Sequence, residues 1–587
     1  MRETGTFRSM AIPMKETLSR ITLALLLTPS MLSVPVDGDN PIAEAATVST
    51  STADAGPSTL LFENQPYPEV VTKSDATLRT LMSLDHDLSR MKVTGKQLEL
   101  LDGTFGYWDP AGHKTLWHIN LSGPQTENHG FATATFDGQK GNLIRFNWHD
   151  DTWTSEDYPS KDFAIAQATT FLRLVAGEEY KQFSLGDSDF ISYSLSGDGR
   201  GNDKKYHFRT VQFQRLVKGI PVLNSGWTID VDANGHIINA NNIGPLMVDE
   251  SIFPAAVDLK TAEEIKNSAD KWLKLRLIYN PDGTDSIFSP SAKARLVYAV
   301  DSYLIDAKTG EGISSSVPSR EIIAIHGNGE SLIRNKEDAA RFMKKVVQLD
   351  VDQMELHIDS APGDTSTGPQ TTYNWMMNTT DATSLTRTLS GPSNIRSLTL
   401  AVNSETGKVN NFYCAVDRNE GKKESKITVA QAQETLMTFL ASTLEKGEYE
   451  MEIHRYVPEK IPDWVDRSKL PQDVLNSNTD YTFSVNRLYQ GVPDWRPYSL
   501  TIDGETGKVS SFYGQVAQLK DHPDPSKAII PVQAKTAFLK QSDLQLIYEW
   551  PEFYGQRSPR AYLRYIIAKP LAIRQIDAIT GEVVTLK

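Results

Sequence analysis

The chain holds a single cysteine, Cys414, among 587 residues. That excludes an intrachain disulfide and a cysteine metal cluster, so stability must come from packed cores. Long apolar runs are equally scarce. Beyond the N-terminal segment no stretch approaches the ~18 uncharged residues of a membrane helix. An excess of basic residues is missing too: 60 Lys and Arg stand against 74 Asp and Glu, a net charge of −14. This balance argues against nucleic acid or an anionic membrane as the main partner. Hydrophobic residues at 39% and charged residues at 23% are ordinary for a globular chain. At ~150 residues per domain, the length suffices for three or four domains' worth of core.

Catalytic signatures are absent as well. There is no HExxH, no histidine pair at i, i+4 for zinc, no GxSxG elbow and no Walker loop. No glycine-rich dinucleotide fingerprint follows a strand. The sequence therefore predicts a non-enzyme without cofactors.

What is present begins at the N-terminus. Lys15 and Arg20 precede an uncharged stretch from Ile21 to Val36, and Ala43-Glu44-Ala45 follows as a small-x-small site. That is the order of a secretory signal peptide, read here as residues 1–45. Starting at Met14 gives a more compact signal, with residues 1–13 as an over-extended start. Pro29 and Pro35 interrupt the apolar run and disfavour a permanent membrane helix. Residues 46–68, with many Ser, Thr, Ala and Gly, read as a disordered lead-in. The expected destination is outside the membrane, secreted or held at the cell wall, with no transmembrane helix once the signal is removed.

The strongest signal is internal repetition. Leu-Ser-Gly-Pro occurs at 121–124 and again at 389–392. Gly141 to Phe146 matches Gly407 to Phe412, an offset of 266 (407 − 141). Arg215-Leu216 with Gly219-Ile220-Pro221 matches Arg487-Leu488 with Gly491-Val492-Pro493, an offset of 272 (487 − 215). Asp306-Ala307-Lys308-Thr309-Gly310-Glu311 matches Asp577-Ala578-Ile579-Thr580-Gly581-Glu582. Two units are expected, 69–316 and 335–587, joined by a linker at 317–334.

Within each unit, helical spacing alternates with strand spacing. Asp75 to Arg90, Ala164 to Val175 and Lys336 to Leu349 have helical apolar periodicity. Thr261 to Glu264 and Thr428 to Gln431 are capping boxes. Trp227 to Asn241, around Asn234-Gly235, alternates as a hairpin does, and Tyr498 to Tyr513 gives its counterpart. One polar face per strand implies antiparallel sheets covered by helices on one side, an α+β class.

The segment from Phe213 to Val222, followed by Ile229 to Gly235, resembles the propeptides of thermolysin-type peptidases and the related PepSY domains. Tyr303 to Glu311 is similar to the closing strand pair of a PepSY domain. Two such units behind a signal peptide resemble the YcdB/YcdC repeat proteins of spore-forming Gram-positive bacteria. The resemblance implies a PepSY-like fold and an exported protein without established chemistry. It also implies that the units act on a separate protein, since no peptidase domain follows.

The motif residues singled out for interaction or structure are Arg215, Gly219, Pro221, Arg487, Gly491 and Pro493. Glycine suits a strained turn, proline fixes φ as the chain leaves it, and the arginines suit backbone carbonyls or a carboxylate. Cys414 aligns with Trp148 and shares a strand face with Phe412, so it reads as a core thiol. Asp230-x-Asp232-x-Asn234-Gly235 matches half a calcium loop, but the twelfth position is Asn241, which favours a plain hairpin. Gly197 to Asp203 is a second acidic loop, read as mobile. Trp153 and Tyr158 are candidates for stacking on sugar. The leading expectation is a protein that binds or modulates another protein, for example a secreted peptidase. Binding to wall polysaccharide is the alternative, and an unrecognised hydrolase comes last.

Overall fold

Six stretches of the chain each begin with a helix and close with a hairpin, and local chemistry accounts for both ends. Four helices start at side-chain caps: α3 (Lys161–Ala176) at Ser160, α4 (Ala262–Asn267) at Thr261, α5 (Lys336–Phe342) at Asn335 and α6 (Val429–Thr443) at Thr428. Thr261 with Glu264 and Thr428 with Gln431 form complete capping boxes, satisfying two orphan N–H groups each. The other two, α1 (Pro68–Met82) and α7 (Pro531–Gln541), open on proline, whose missing N–H costs nothing in a first turn. A short α2 (His86–Arg90), capped by Asp85, follows α1.

The six closing turns are built alike. Asp137, Asp232, Asp306, Asn403, Asp503 and Asp577 each accept backbone N–H groups on Oδ1. The carbonyl of the same residue accepts the N–H of Gly141, Gly235, Gly310, Gly407, Gly507 or Gly581. Successive turns lie 95 and 74 residues apart in the first repeat (137, 232, 306) and 100 and 74 apart in the second (403, 503, 577). Each repeat is thus three modules of helix and hairpin, a finer period than the two units expected.

The computed structural model describes residues 66–585 except 101–114, 124–129, 151–152, 154–156, 197–203, 245–247, 283–291, 301–303, 314–319, 330, 362–368, 377–394, 417–424, 458–459, 471–473, 476–478, 515–518 and 569–573. The expected signal and most of the lead-in, the 197–203 loop and the second Leu-Ser-Gly-Pro lie outside the described residues. Where described, the chain is α+β.

Modules one and two form a first lobe. Its strands are β1 (Lys92–Leu100), β2 (Thr115–Ser122), β3 (Phe131–Asp137), β4 (Leu143–His149), β5 (Phe183–Ser196), β6 (Lys204–Val217), β7 (Ile220–Asp232) and β8 (Ile237–Ile243). They lie antiparallel in the order β1-β2-β3-β4-β8-β7-β6-β5. Helices α1 and α3 close one face over Trp117, Phe136, Phe146, Phe171 and Trp227.

The third module of the first repeat supplies β9 (Leu275–Pro281), β10 (Ala294–Val300), β11 (Leu304–Asp306) and β12 (Gly312–Ile313). Next comes β13 (Arg320–Gly327), inside the stretch expected as a linker. The expectation rested on Ser314 to Pro318; it missed the run Ile322-Ile323-Ala324-Ile325, whose Ile325 is 3% exposed and belongs to the next core.

A second lobe follows with β14 (Glu355–Ala361), β15 (Gln370–Met376), β16 (Ile395–Asn403), β17 (Val409–Val416), β18 (Gly447–Arg455), β19 (Tyr481–Tyr489), β20 (Val492–Pro493), β21 (Tyr498–Ile502) and β22 (Val509–Tyr513). Its order, β14-β15-β16-β17-β22-β21-β19-β18-β13, repeats the first lobe and adds β13 at one edge. Phe412, Phe439, Phe483 and Phe512 fill its core, with Cys414 on the face of Phe412. Burial pushes the Cys414 thiol up to about 12, so it stays protonated and inert.

The last module contributes β23 (Leu544–Glu549), the small hairpin β24 (Glu552–Phe553) and β25 (Gln556–Arg557), then β26 (Tyr562–Ile567), β27 (Arg574–Asp577) and β28 (Val583–Thr585). Here the repeats interlock. Strand β10 of the first repeat pairs with β27 of the second, while β26 of the second pairs with β11 of the first. The contacts mirror one another: Tyr298 Oη donates to the Ile529 carbonyl at 2.6 Å, and Tyr565 Oη to the Lys260 carbonyl at 2.9 Å. Arg295 pairs with Asp577 at 2.7 Å and Arg564 with Asp306, each guanidinium reaching the turn carboxylate of the other repeat. Lys266 of α4 lies 3.9 Å from Asp543 and Lys535 of α7 2.6 Å from Asp270. One core, including Phe253, Trp272, Tyr279, Phe538 and Tyr548, is shared by both repeats.

Candidate functional site

The motif residues expected from sequence sit at the seam of this interlock. Lys218 and Gly219, with φ of 51° and 77°, make a two-residue hairpin turn; Gln490 and Gly491, at 51° and 77°, make its copy. Positive φ at both positions defines the turn that matches strand twist, and glycine takes the second without strain. A Cβ on either glycine would meet nothing within 4 Å, so backbone conformation alone calls for glycine there. Pro221 and Pro493 lie opposite Leu216 and Leu488. Just beyond them the chain joins the other repeat: Val222 pairs in parallel with Tyr548, and Asp494 with Tyr279.

Arg215 is 4% exposed, lies over the Phe183 ring at 4.9 Å and donates to Gln182 Oε1 at 3.2 Å. Arg487 lies over Tyr449 and Tyr489, 4.6 Å from each ring centre. Each arginine therefore anchors the corresponding strand of its lobe, Phe183 opening β5 and Tyr449 lying near the start of β18. Close by, burial pushes the Asp494 carboxyl up to about 6, against the pull of the Arg496 N–H and guanidinium. His522, 3.8 Å from the Tyr489 ring in a stack, is held below the usual imidazole range by burial and by Arg487.

The two corresponding strands differ in what lies beyond them. Strand β18 is covered by β13 along eight residue pairs, from Arg320 opposite His454 to Gly327 opposite Gly447. Among the described residues β5 pairs only with β6. Its face toward α3 leaves Leu185 47%, Ile191 53% and Tyr193 43% exposed. A shallow groove there is lined by Lys161 and Ile165 of α3, Leu185 and Gly186 of β5, and Arg209 and Val211 of β6. Arg209 Nε donates to the Pro159 carbonyl at 3.0 Å, which holds the guanidinium beside the start of α3. Tyr158 and Tyr193 flank His207, 4.4 and 6.0 Å from its ring. An exposed apolar strand edge with unpaired backbone is a template for another strand, and proteins usually cover it.

Other candidates are satisfied internally. Asp230 accepts from Thr210 and Asn239, and Asp232 from the Asn234 and His236 N–H groups, so the calcium-like pattern is a hydrogen-bonded hairpin. His236 Nδ1 meets Asp232 Oδ2 at 2.8 Å, and Tyr206 Oη donates to the same oxygen at 2.7 Å. Burial disfavours the imidazolium, but the Asp232 hydrogen bond and charge outweigh it and raise the His236 pKa. Its Nε2 faces Asp85 at 3.9 Å, so the cluster ties α2 to the sheet and presents no nucleophile. Trp153 stacks on the His236 ring at 4.2 Å, which takes up a face that sugar binding would use. Among the described residues no group of His, Cys, Asp and Glu is arranged to hold a metal. No described helix is long and apolar enough to cross a membrane.

The open edge itself was not legible in sequence. Its signal lay in the apolar positions of Leu185, Ile191 and Tyr193, which look like any half-buried strand until no second neighbour is found among the described residues.

Fold and site together define a class: a tandem α+β repeat protein whose two sheet lobes are tied by exchanged strands. Residues 106–241, most of the first lobe, match the YcdB, YcdC repeated-domain family, and the chain carries that domain there. No curated protein matches the chain. Among solved structures the Bacillus megaterium YpeB C-terminal domain is similar at 12% identity and a TM-score of 0.23, over 42% of this chain and 96% of that one.

Proposed function

We propose that this is an exported, non-catalytic repeat protein that binds and modulates another protein, in the medium or at the cell wall, and that the partner docks on the β5 edge. The observation that carries the reading is the contrast between the edges: β18 is covered by β13, while β5 leaves Leu185, Ile191 and Tyr193 exposed. Adding a strand to such an edge gains backbone hydrogen bonds, and side-chain sites on one face supply selectivity. The secretory layout of the N-terminus supports export. The likeness of the Phe213 to Gly235 region to peptidase propeptides, PepSY-like in character, makes a secreted peptidase the first partner to test.

The test is the activity of secreted peptidases with and without the mature protein. Dose-dependent inhibition or protection is expected, and Leu185→Asp should abolish it while leaving the thermal melting temperature unchanged. No effect of the unmodified protein on any peptidase of the secreted set would overturn the peptidase reading.

A further inference from the structure

The two lobes carry the same groove, and one of the two is filled. Lys161, Ile165 and Leu185 correspond, at one offset of 268, to Val429, Gln433 and Ile453, which line a like depression in the second lobe. Val211 corresponds to Phe483 at the offset of 272 that relates Arg215 to Arg487. The second groove is also lined by Glu321 of β13. Glu321 stands opposite Ile453 and accepts a hydrogen bond from Gln433 Nε2 at 2.7 Å. Four positions along the strand, Ile325 turns the same face into the core. The filled groove shows the geometry of its occupant: an antiparallel strand with a carboxylate facing the helix.

The first groove carries cations that suit such an occupant as well. Where the second lobe has Val429 and Gln433, the first has Lys161 and Ile165, and Arg209 adds a guanidinium on the neighbouring strand. A carboxylate opposite Leu185 would therefore face Lys161 and Arg209, much as Glu321 shares its groove with Arg455. Beyond that position, Ile191 and Tyr193 continue the same face, so apolar residues should precede the acidic one in an antiparallel occupant.

The equivalently placed stretch of the chain itself is a poor candidate for this role. Strand β13 begins 15 residues before the α5 cap Asn335; counted back equally from Tyr67, which precedes α1, the counterpart is residues 52–59. That stretch, Thr-Ala-Asp-Ala-Gly-Pro-Ser-Thr, has none of the isoleucines of β13, and Pro57 lacks a backbone donor. We infer, building on the proposed role of the β5 edge, that the groove accepts an extended acidic segment of a partner protein as an added antiparallel strand, its carboxylate facing Lys161 and Arg209.

The experiment uses the mature chain and a fluorescently labelled peptide with the sequence of residues 318–327, read by anisotropy. The peptide should bind saturably, and its Glu321→Lys form should bind about 3–10-fold more weakly, the range of a partly exposed ion pair. Arg209→Glu should weaken the unmodified peptide and restore the lysine form. Lys161→Glu, at an exposed helix position, is the second variant should Arg209→Glu perturb folding. Exchange of the peptide with β13 in the second lobe would ignore both substitutions, and that result would overturn the inference. Equal binding of both peptides would remove the acidic class. Binding seen only after deletion of the residues before Pro66 would assign the groove to the chain's own segment instead. Should the peptide fail while Leu185→Asp still abolishes peptidase modulation, the acidic occupant is wrong and the docking edge stands.

Discussion

The two lobes share a strand order and a helix-covered core, yet among the described residues one has a strand added at its outer edge and the other has none. In the second, β13 lies along β18 and buries Ile325. In the first, the turn Gly177–Gln182 takes the place of the early part of β18, and β5 then runs on for 14 residues as an edge. Duplication thus reproduced what the core demands, while the edge, which the core does not constrain, diverged. A covered edge suits a structural lobe and an open one suits a lobe that binds, because backbone groups left unpaired on an apolar strand favour a further strand.

The interlock allows this comparison to be broken most severely by cutting the chain between repeats. Expressed alone, residues 66–316 lose β26, β27 and half of the shared core. The first lobe should still unfold cooperatively, while β9 and β10 lose amide protection in hydrogen exchange. Co-expressing the second half should restore it. Full protection of β10 in the isolated half would show that the exchange is dispensable.

A smaller effect should come from the mirrored ion pairs. The Arg564 side chain is 12% exposed and serves both Asp306 and Glu549, the latter at 3.0 Å. Burial tends to raise the Asp306 and Asp577 carboxyls, but turn N–H groups and the facing arginines outweigh it and lower both. Removing Arg564 leaves two partly buried carboxylates less compensated, so Arg564→Ala should cost about 1–3 kcal/mol in chemical denaturation. Arg295→Ala, at a more exposed guanidinium, should cost less. Equal losses would mean that the two halves of the exchange carry the same load despite their different burial.

The smallest effect is pH-dependent and belongs to one seam only. Where the second repeat has Asp494, the first has Val222. Because the Asp494 carboxyl is raised to about 6, its contribution to stability is fully present below the ordinary carboxylate range and is lost as pH rises through about 6. Asp494→Asn should therefore stabilise the protein at pH 8, by about 1–3 kcal/mol for a shift of this size, and change little at pH 4. His522, shifted down, acts in the opposite sense: its neutral form contributes above the ordinary imidazole range, and that contribution is lost as pH falls through it. A denaturation series from pH 4 to 8 separates the two, since only the Asp494 effect vanishes in the variant.

Much of the architecture was readable in one dimension because it is local. Caps at Thr261 and Thr428, the Lys218-Gly219 and Gln490-Gly491 turns and the Asp-to-Gly closing turns each follow from a few neighbouring residues. The repeat offset then carried one unit onto the other. The linker reading failed at β13 because the Ser-rich, Pro-containing stretch before it dominated the local signal; Ile325 becomes a strand residue through pairing with a segment more than 120 positions away.

By itself, the sequence determined the duplication, the α+β class, the turn chemistry of the motif glycines and the core character of Cys414. Only the tertiary structure decided that the third modules exchange strands, that Arg215 and Arg487 stack on aromatics of β5, β18 and β19, and that among the described residues β18 is covered while β5 pairs only with β6. The physical reason is the range of the forces involved. Caps and turns are satisfied within four residues, whereas strand pairing and burial depend on which distant segment arrives, and no local pattern records a neighbour that is missing.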